Sequence, residues 1–219
     1  MPAAFSRFET FAPQEALARA LLPHATEANG DGSHDEAHLL RVWKNAAAIQ
    51  REEGGDPSIL LAATLLHDCV SVEKNSPLRA EASRLAAEKA AGILAGLGWE
   101  SGPIAAVGHA IAAHSFSAGI EPVTIEAKTL QDADRLDAIG MVGVARCFYI
   151  AGRMGSALYD SDDPQAAGRP YDDKRFAIDH FHTKLLKLSA GFRTRAGARM
   201  AQERHARLER FLAEFSDEI

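Results

Sequence analysis

Cysteine, aromatic and β-branched residues are all sparse in this chain, and no apolar run is long. Two cysteines, Cys69 and Cys147, allow at most one disulfide, so there is no disulfide framework of the secreted kind. The longest apolar run, "ILLAATLL", is far shorter than the roughly 20 residues that span a bilayer. The opening stretch "MPAAFSRFETFAPQEALARALL" scatters charge where a secretory leader would hold a continuous apolar segment. A cytoplasmic protein without membrane attachment is therefore expected. Basic excess is lacking as well. The formal charge is −6, with acids and bases interleaved, and no cationic stripe matches the backbone of a long nucleic acid. A small nucleotide, held locally through a cation, stays compatible with that balance.

What is abundant is alanine and leucine, which favour helix over strand. Apolar residues recur at three- and four-residue intervals. They predict helices over roughly 12–27, 34–53, 57–68, 79–96, 101–115, 123–151, 174–190 and 194–216, each end good to about 2–4 residues. Ser33 and Glu36 have capping-box spacing for the second helix. "EEGGDPS" and "GLGWESGP" supply the glycine stops and proline starts of helix connections. Two connections, "CVSVEKNSPLR" and "YDSDDPQAAGRPYDDK", are longer than packing requires, and long loops in compact domains are often functional. The expected fold is all-α, a single-domain helical bundle over residues 1–219. Its core covers about 30–152, and C-terminal helices over about 174–216 pack onto it.

Within that bundle, the stretch "LLAATLLHDCVSVEK" ends an apolar helix on His67 and Asp68. Burying such a pair is costly unless each polar atom finds a partner. Neighbouring side chains diverge by about 100° around a helix, so a cation between them can meet both. Imidazole nitrogen with carboxylate oxygen suits Mn, Fe, Co, Ni, Zn or Mg to differing degrees. A further His and a further Asp from other helices would complete four ligands and leave room for water and a phosphoryl oxygen. A buried histidine can equally be a hydrogen-bonded core residue, and adjacent His–Asp pairs also occur by chance. His38 on the second helix and the segment "QDADRLDAIG" on the sixth supply the further groups.

Taken in order, "SHDEAHLLRVW", "LLHDCVSVEK", "AHSFSAG", "QDADRLDAIG" and the late "DHF…KLL" and "ER" segments resemble the HD-domain metal-dependent phosphohydrolases. Within that family the likeness is to a bacterial, YedJ-like subgroup, and it covers about residues 30–216. The resemblance implies one divalent ion (Mn, Mg, Fe, Co or Ni) on His38, His67, Asp68 and Asp134. Asp132 or Asp137 would support Asp134 or pair with Arg135. All three aspartates also suit a helix N-terminus through its dipole. Asp35 is placed to orient a neighbouring imidazole, and His34 shares the face of His38.

Two-metal relatives hold a second ion with histidines from the region of His109 and His114. Here the five-residue spacing separates those side chains around an ideal helix, so a phosphate or proton-transfer role is expected, above all for His114. Lys74, Arg79 and Ser83 follow the His–Asp pair at the start of a helix, and with Arg41 they form the expected phosphate-binding set. Catalysis is expected to rest on Asp68, His114 and Lys74. The 5′-nucleotidase relatives carry an acid three positions past the Asp of the pair, where this chain has Ser71, and that departure points away from monophosphates. Arg169 of the second long loop can reach phosphate, or the loop can be a solvated acidic surface, with Asp172 and Asp173 on basic neighbours.

The implied activity is hydrolysis of a small phosphorylated substrate, foremost a nucleoside triphosphate to monophosphate and pyrophosphate. The alternatives are a phosphomonoesterase or cyclic-nucleotide phosphodiesterase of the same superfamily, and a sensor that binds metal and nucleotide without turnover. Oligomeric state is not legible.

Overall fold

The computed structural model describes residues 8–25, 35–70, 72 and 81–219, and among them the regular structure is helical. The α-helices are α1 Glu15–Leu21, α2 Glu36–Glu53, α3 Pro57–Leu66, α4 Ala82–Gly96, α5 Ser101–His114, α6 Ile125–Asp137, α7 Gly140–Met154, α8 Ala177–Thr183 and α9 Arg195–Asp217. Short 3-10 turns stand at Glu9–Phe11, Leu22–His24, Phe116–Ala118 and Leu185–Ser189. An isolated bridge, Ala157 to Phe176, is the extended pairing among the described residues. The all-α expectation holds. No helix among the described residues is long and apolar enough to cross a membrane.

The chain resolves into two compact units, Met1–Asp134 and Arg135–Ile219. In the first unit, α3 is the central element. Asp56 caps it by accepting the N–H groups of Ser58 and Ile59, Pro57 fits the first turn, and every residue from Leu60 to Leu66 is buried. A helix apolar on all sides must be surrounded, and α1, α2, α4 and α5 all pack against it. On α2 the buried positions His38, Leu39, Val42, Trp43, Asn45, Ala46 and Ile49 trace one stripe, so His38 rides on the core-facing side. α4 and α5 pack on each other across a turn in which Trp99 N–H donates to Leu94 O and Gly98 N–H to Ala95 O. Gly98 takes the left-handed conformation that this helix ending needs, at φ +80°.

The second unit is built on α7, α8 and α9. Phe148 and Phe211 lie 5.9 Å apart between ring centroids, and each also meets Phe181 and Phe215 at 5.4–6.1 Å. Thr194 caps α9 by accepting the N–H of Gly197 at 3.0 Å.

Three expectations of local structure are corrected. The helix expected over 123–151 is two helices, and Gly140, at φ +72°, opens the second. A side chain at Gly143 would place Cβ 2.4 Å from Ala138 O, so the chain folds back closer there than an uninterrupted helix allows. The cap of α2 is Asp35, whose Oδ1 accepts the N–H of His38 at 2.9 Å, while Ser33 lies outside the described residues. The stretch expected as helix over 174–190 begins α-helical only at Ala177 and continues from Leu185 as a 3-10 turn.

Candidate metal centre

α2 brings His38, the end of α3 brings His67 and Asp68, and α6 brings Asp134 to one place in the first unit. His38 Nε2 lies 3.4 Å from His67 Nε2, 3.5 Å from Asp134 Oδ1 and 3.8 Å from Asp68 Oδ2. His67 Nε2 lies 3.5 Å from Asp68 Oδ2 and 3.9 Å from Asp134 Oδ1. α5 adds His114, whose Nε2 is 4.0 Å from Asp68 Oδ1 and whose ring meets that of His67 edge-on at 4.9 Å. Two overlapping donor groups result, His38–His67–Asp134 and His67–Asp68–His114, each with its atoms within 4.8 Å of one another.

Protonation sharpens this geometry. His67 Nδ1 stands 2.7 Å from Thr64 O, and His114 Nδ1 stands 2.6 Å from Ile111 O. A carbonyl only accepts, so each Nδ1 carries its proton and each Nε2 turns a lone pair toward the centre. Both imidazoles are held by the helix turn that precedes them, in the orientation metal-ligating histidines adopt. The imidazoles of His38 and His67 are 1 % and 0 % exposed, whereas the Asp68 and Asp134 side chains are 29 % and 33 % exposed. Burial, followed by the neighbouring His67, holds His114 below the usual histidine value.

The donor set fits a divalent cation. Two ligands each about 2.1 Å from a shared centre sit roughly 3–4 Å apart, as these do. Lone pairs and carboxylate oxygens crowded at such spacing repel each other until positive charge lies between them. Partly exposed carboxylates opposite buried imidazoles leave one side of the centre open to a ligand.

Three comparisons bear on this arrangement. Residues 36–139 match the model of the HD domain. YpgQ of Bacillus subtilis (strain 168) is 35 % identical over 190 residues, 85 % of this chain and 84 % of that protein. The chain belongs to the HD family. Among solved structures, an HD-superfamily hydrolase from Bacillus thuringiensis is 33 % identical with a TM-score of 0.72, over 94 % of this chain and 97 % of that one. Bacillus subtilis YpgQ in complex with ADP is 30 % identical with a TM-score of 0.69, over 94 % and 97 %. This HD protein is thus a metal-dependent phosphohydrolase, with a His/Asp cluster suited to a divalent ion.

Other expected site residues are distributed more widely in the HD domain. His109 stands in neither donor group; its Nε2 accepts the N–H of Val123 at 3.1 Å and ties α5 to the chain before α6. Asp35 supports His38 through its backbone N–H, as the helix cap. Asp132 is buried next to the Ala133–Asp134 step. Asp137 accepts from Arg146 at 2.7 Å, and Arg135 Nε donates to Leu188 O at 3.0 Å. Arg41 is half-buried one turn beyond His38, and Ser83 is buried in the first turn of α4. Ser71, Lys74, Arg79 and His34 lie outside the described residues.

Arg169 is committed elsewhere in its own unit: it binds Asp179 at 2.5 and 3.1 Å and Asp160 at 3.2 Å, and covers the ring of Phe176. Of the two roles open to Arg169 in the sequence, phosphate contact or a solvated acidic loop, the structure shows it paired with the carboxylates of its own segment. Of the two α5 histidines, the structure places His114, the one the sequence favoured, beside Asp68. Its signal was the apolar run "AIAAH", which marks His114, at the buried end of α5, as the inward one of the two histidines.

Proposed function

We propose that this protein hydrolyses a phosphoric anhydride in a small nucleotide, with nucleoside triphosphate split into monophosphate and pyrophosphate as the leading reaction. The observation that carries the reading is the convergence of His38, His67, Asp68 and Asp134 from three helices. That YpgQ has been crystallised with ADP supports a nucleotide over other phosphate esters. These four residues would hold the divalent ion. Such an ion supplies a Lewis acid for the phosphoryl oxygens and lowers the pKa of water.

The protein's own groups do the rest. Asp68 faces two ways, with Oδ2 toward His38 and His67 and Oδ1 toward His114. His114, its Nδ1 proton spent on Ile111 O, offers Nε2 as a proton acceptor on the same side as Asp68 Oδ1. Arg41, one turn past His38, is assigned to the phosphate chain, as are Lys74 and Arg79 from the sequence. Burial shields the imidazoles from solvent, and the more exposed carboxylate side receives substrate.

The test combines elemental analysis of the purified protein with a nucleotide panel and product identification. Near-stoichiometric divalent metal and release of pyrophosphate are expected. Release of inorganic phosphate alone would replace the reading with a phosphomonoesterase. Nucleotide binding with no product from any manganese-loaded sample would replace it with a sensor.

A further inference from the structure

Three backbone carbonyls in the first unit each accept a hydrogen bond from a side chain on another helix, and each belongs to a residue next to a group of the metal centre. Asn45 Nδ2 of α2 donates to Ala133 O at 3.0 Å, one residue before Asp134. Gln131 Nε2 of α6 donates to Ala113 O at 2.8 Å, one residue before His114. Lys89 Nζ of α4 donates to Cys69 O at 2.6 Å, one residue after Asp68. A carbonyl accepts only, so the two amides are oriented unambiguously. Asn45 and Gln131 are 4 % and 3 % exposed, and a buried amide is tolerated only where its bonds are made.

We infer that Asn45, Gln131 and Lys89 are positioning residues that hold the ligand-bearing segments in register for the ion. This inference rests on the metal-centre reading above. Asn45 lies seven residues beyond His38, nearly the same face of α2 two turns on. It therefore locks the helix carrying His38 to the helix carrying Asp134. Gln131 locks that same α6 to α5. Lys89 acts from α4, together with Cys69 Sγ, which lies 3.5 Å from Ala86 O, so α4 grips the turn just past the His67–Asp68 pair. Ligands brought from separate helices must meet within a fraction of an ångström, and apolar packing alone fixes helix sliding less sharply than directional bonds do.

The experiment measures Mn2+ affinity of the full chain by calorimetry and by the spin-resonance signal of the bound ion. The parent is compared with Asn45→Leu, Gln131→Met, Lys89→Met and Lys89→Arg. Each amide replacement keeps volume and removes the donor, and is expected to weaken Mn2+ binding about tenfold while helix content stays at the parent level. Lys89→Met is expected to weaken it roughly threefold, with Lys89→Arg restoring it, because Arg keeps a donor of similar reach. A merely structural role would lower the melting temperature without changing affinity in the folded protein. Folded variants with affinity within about twofold of the parent would overturn the inference while leaving the metal centre intact. A parent that binds no divalent ion would overturn the metal centre itself. Should the buried amide variants fail to fold, the Lys89 pair decides alone, since that side chain is exposed.

Discussion

Asp68 and Asp134 in the first unit face imidazole nitrogens, whereas Asp179 in the second faces a guanidinium. The chemical consequence is opposite. Asp179 is buried, accepts both Arg169 nitrogens and the N–H of Asp172, and so has its charge matched by the protein. Burial would raise its carboxyl, but Arg169 and the Asp172 N–H outweigh that and hold it below the usual range. At the other cluster, imidazole nitrogens and carboxylate oxygens from separate helices lie close enough together to hold a metal ion. One cluster is finished by folding; the other is built to receive a ligand. Buried acids alone therefore do not mark a function; the sign of what surrounds them does.

The comparison breaks most sharply at Asp68. Asp68→Ala is expected to remove tightly held metal and cut hydrolysis roughly a thousandfold, with helix content by circular dichroism unchanged. Turnover at the parent rate would mean the centre lies elsewhere. Asp179→Ala should do the reverse, lowering the midpoint of chemical denaturation while metal content by elemental analysis stays at the parent level. A loss of metal with no loss of stability would erase the distinction between the clusters.

Acid should separate them further. Because the folded carboxyl of Asp179 lies below its unfolded value of about 4, it adds stability above that pH and loses it as pH falls through the folded value. In Asp179→Asn that part of the acid limb should vanish from a plot of stability against pH. A limb as steep as the parent's would assign it to other groups. The smallest effects concern the caps. Asp35→Ala and Asp56→Ala should each cost about 1 kcal/mol in thermal or urea unfolding. Only the first should also weaken metal binding, since Asp35 holds the N–H of His38 itself whereas Asp56 caps the far end of α3.

The helical class and most elements were legible because alanine, leucine and a 3.6-residue period speak directly to local structure. His38, His67, Asp68 and Asp134 were legible as candidates through the resemblance to the HD-domain phosphohydrolases. Less legible was the break between α6 and α7. "DAIGMVG" reads as helix until the close approach at Gly143 to Ala138 O forces the turn. Arg169 was open to a phosphate role because a loop arginine beside aspartates looks the same in sequence whether it binds substrate or a buried partner. His109 and His114 differ only in which turn of α5 faces the core.

By itself, the sequence determined which segments become helix and which residue types could ligate a cation, since both follow from local propensity and side-chain chemistry. The tertiary structure decided that imidazoles from α2 and α3 come within 3.4 Å, that His114 joins them, and that Arg169 is spent on Asp179. Those outcomes depend on how helices distant in the chain pack and on what each buried charge must meet, and neither is written in any local stretch.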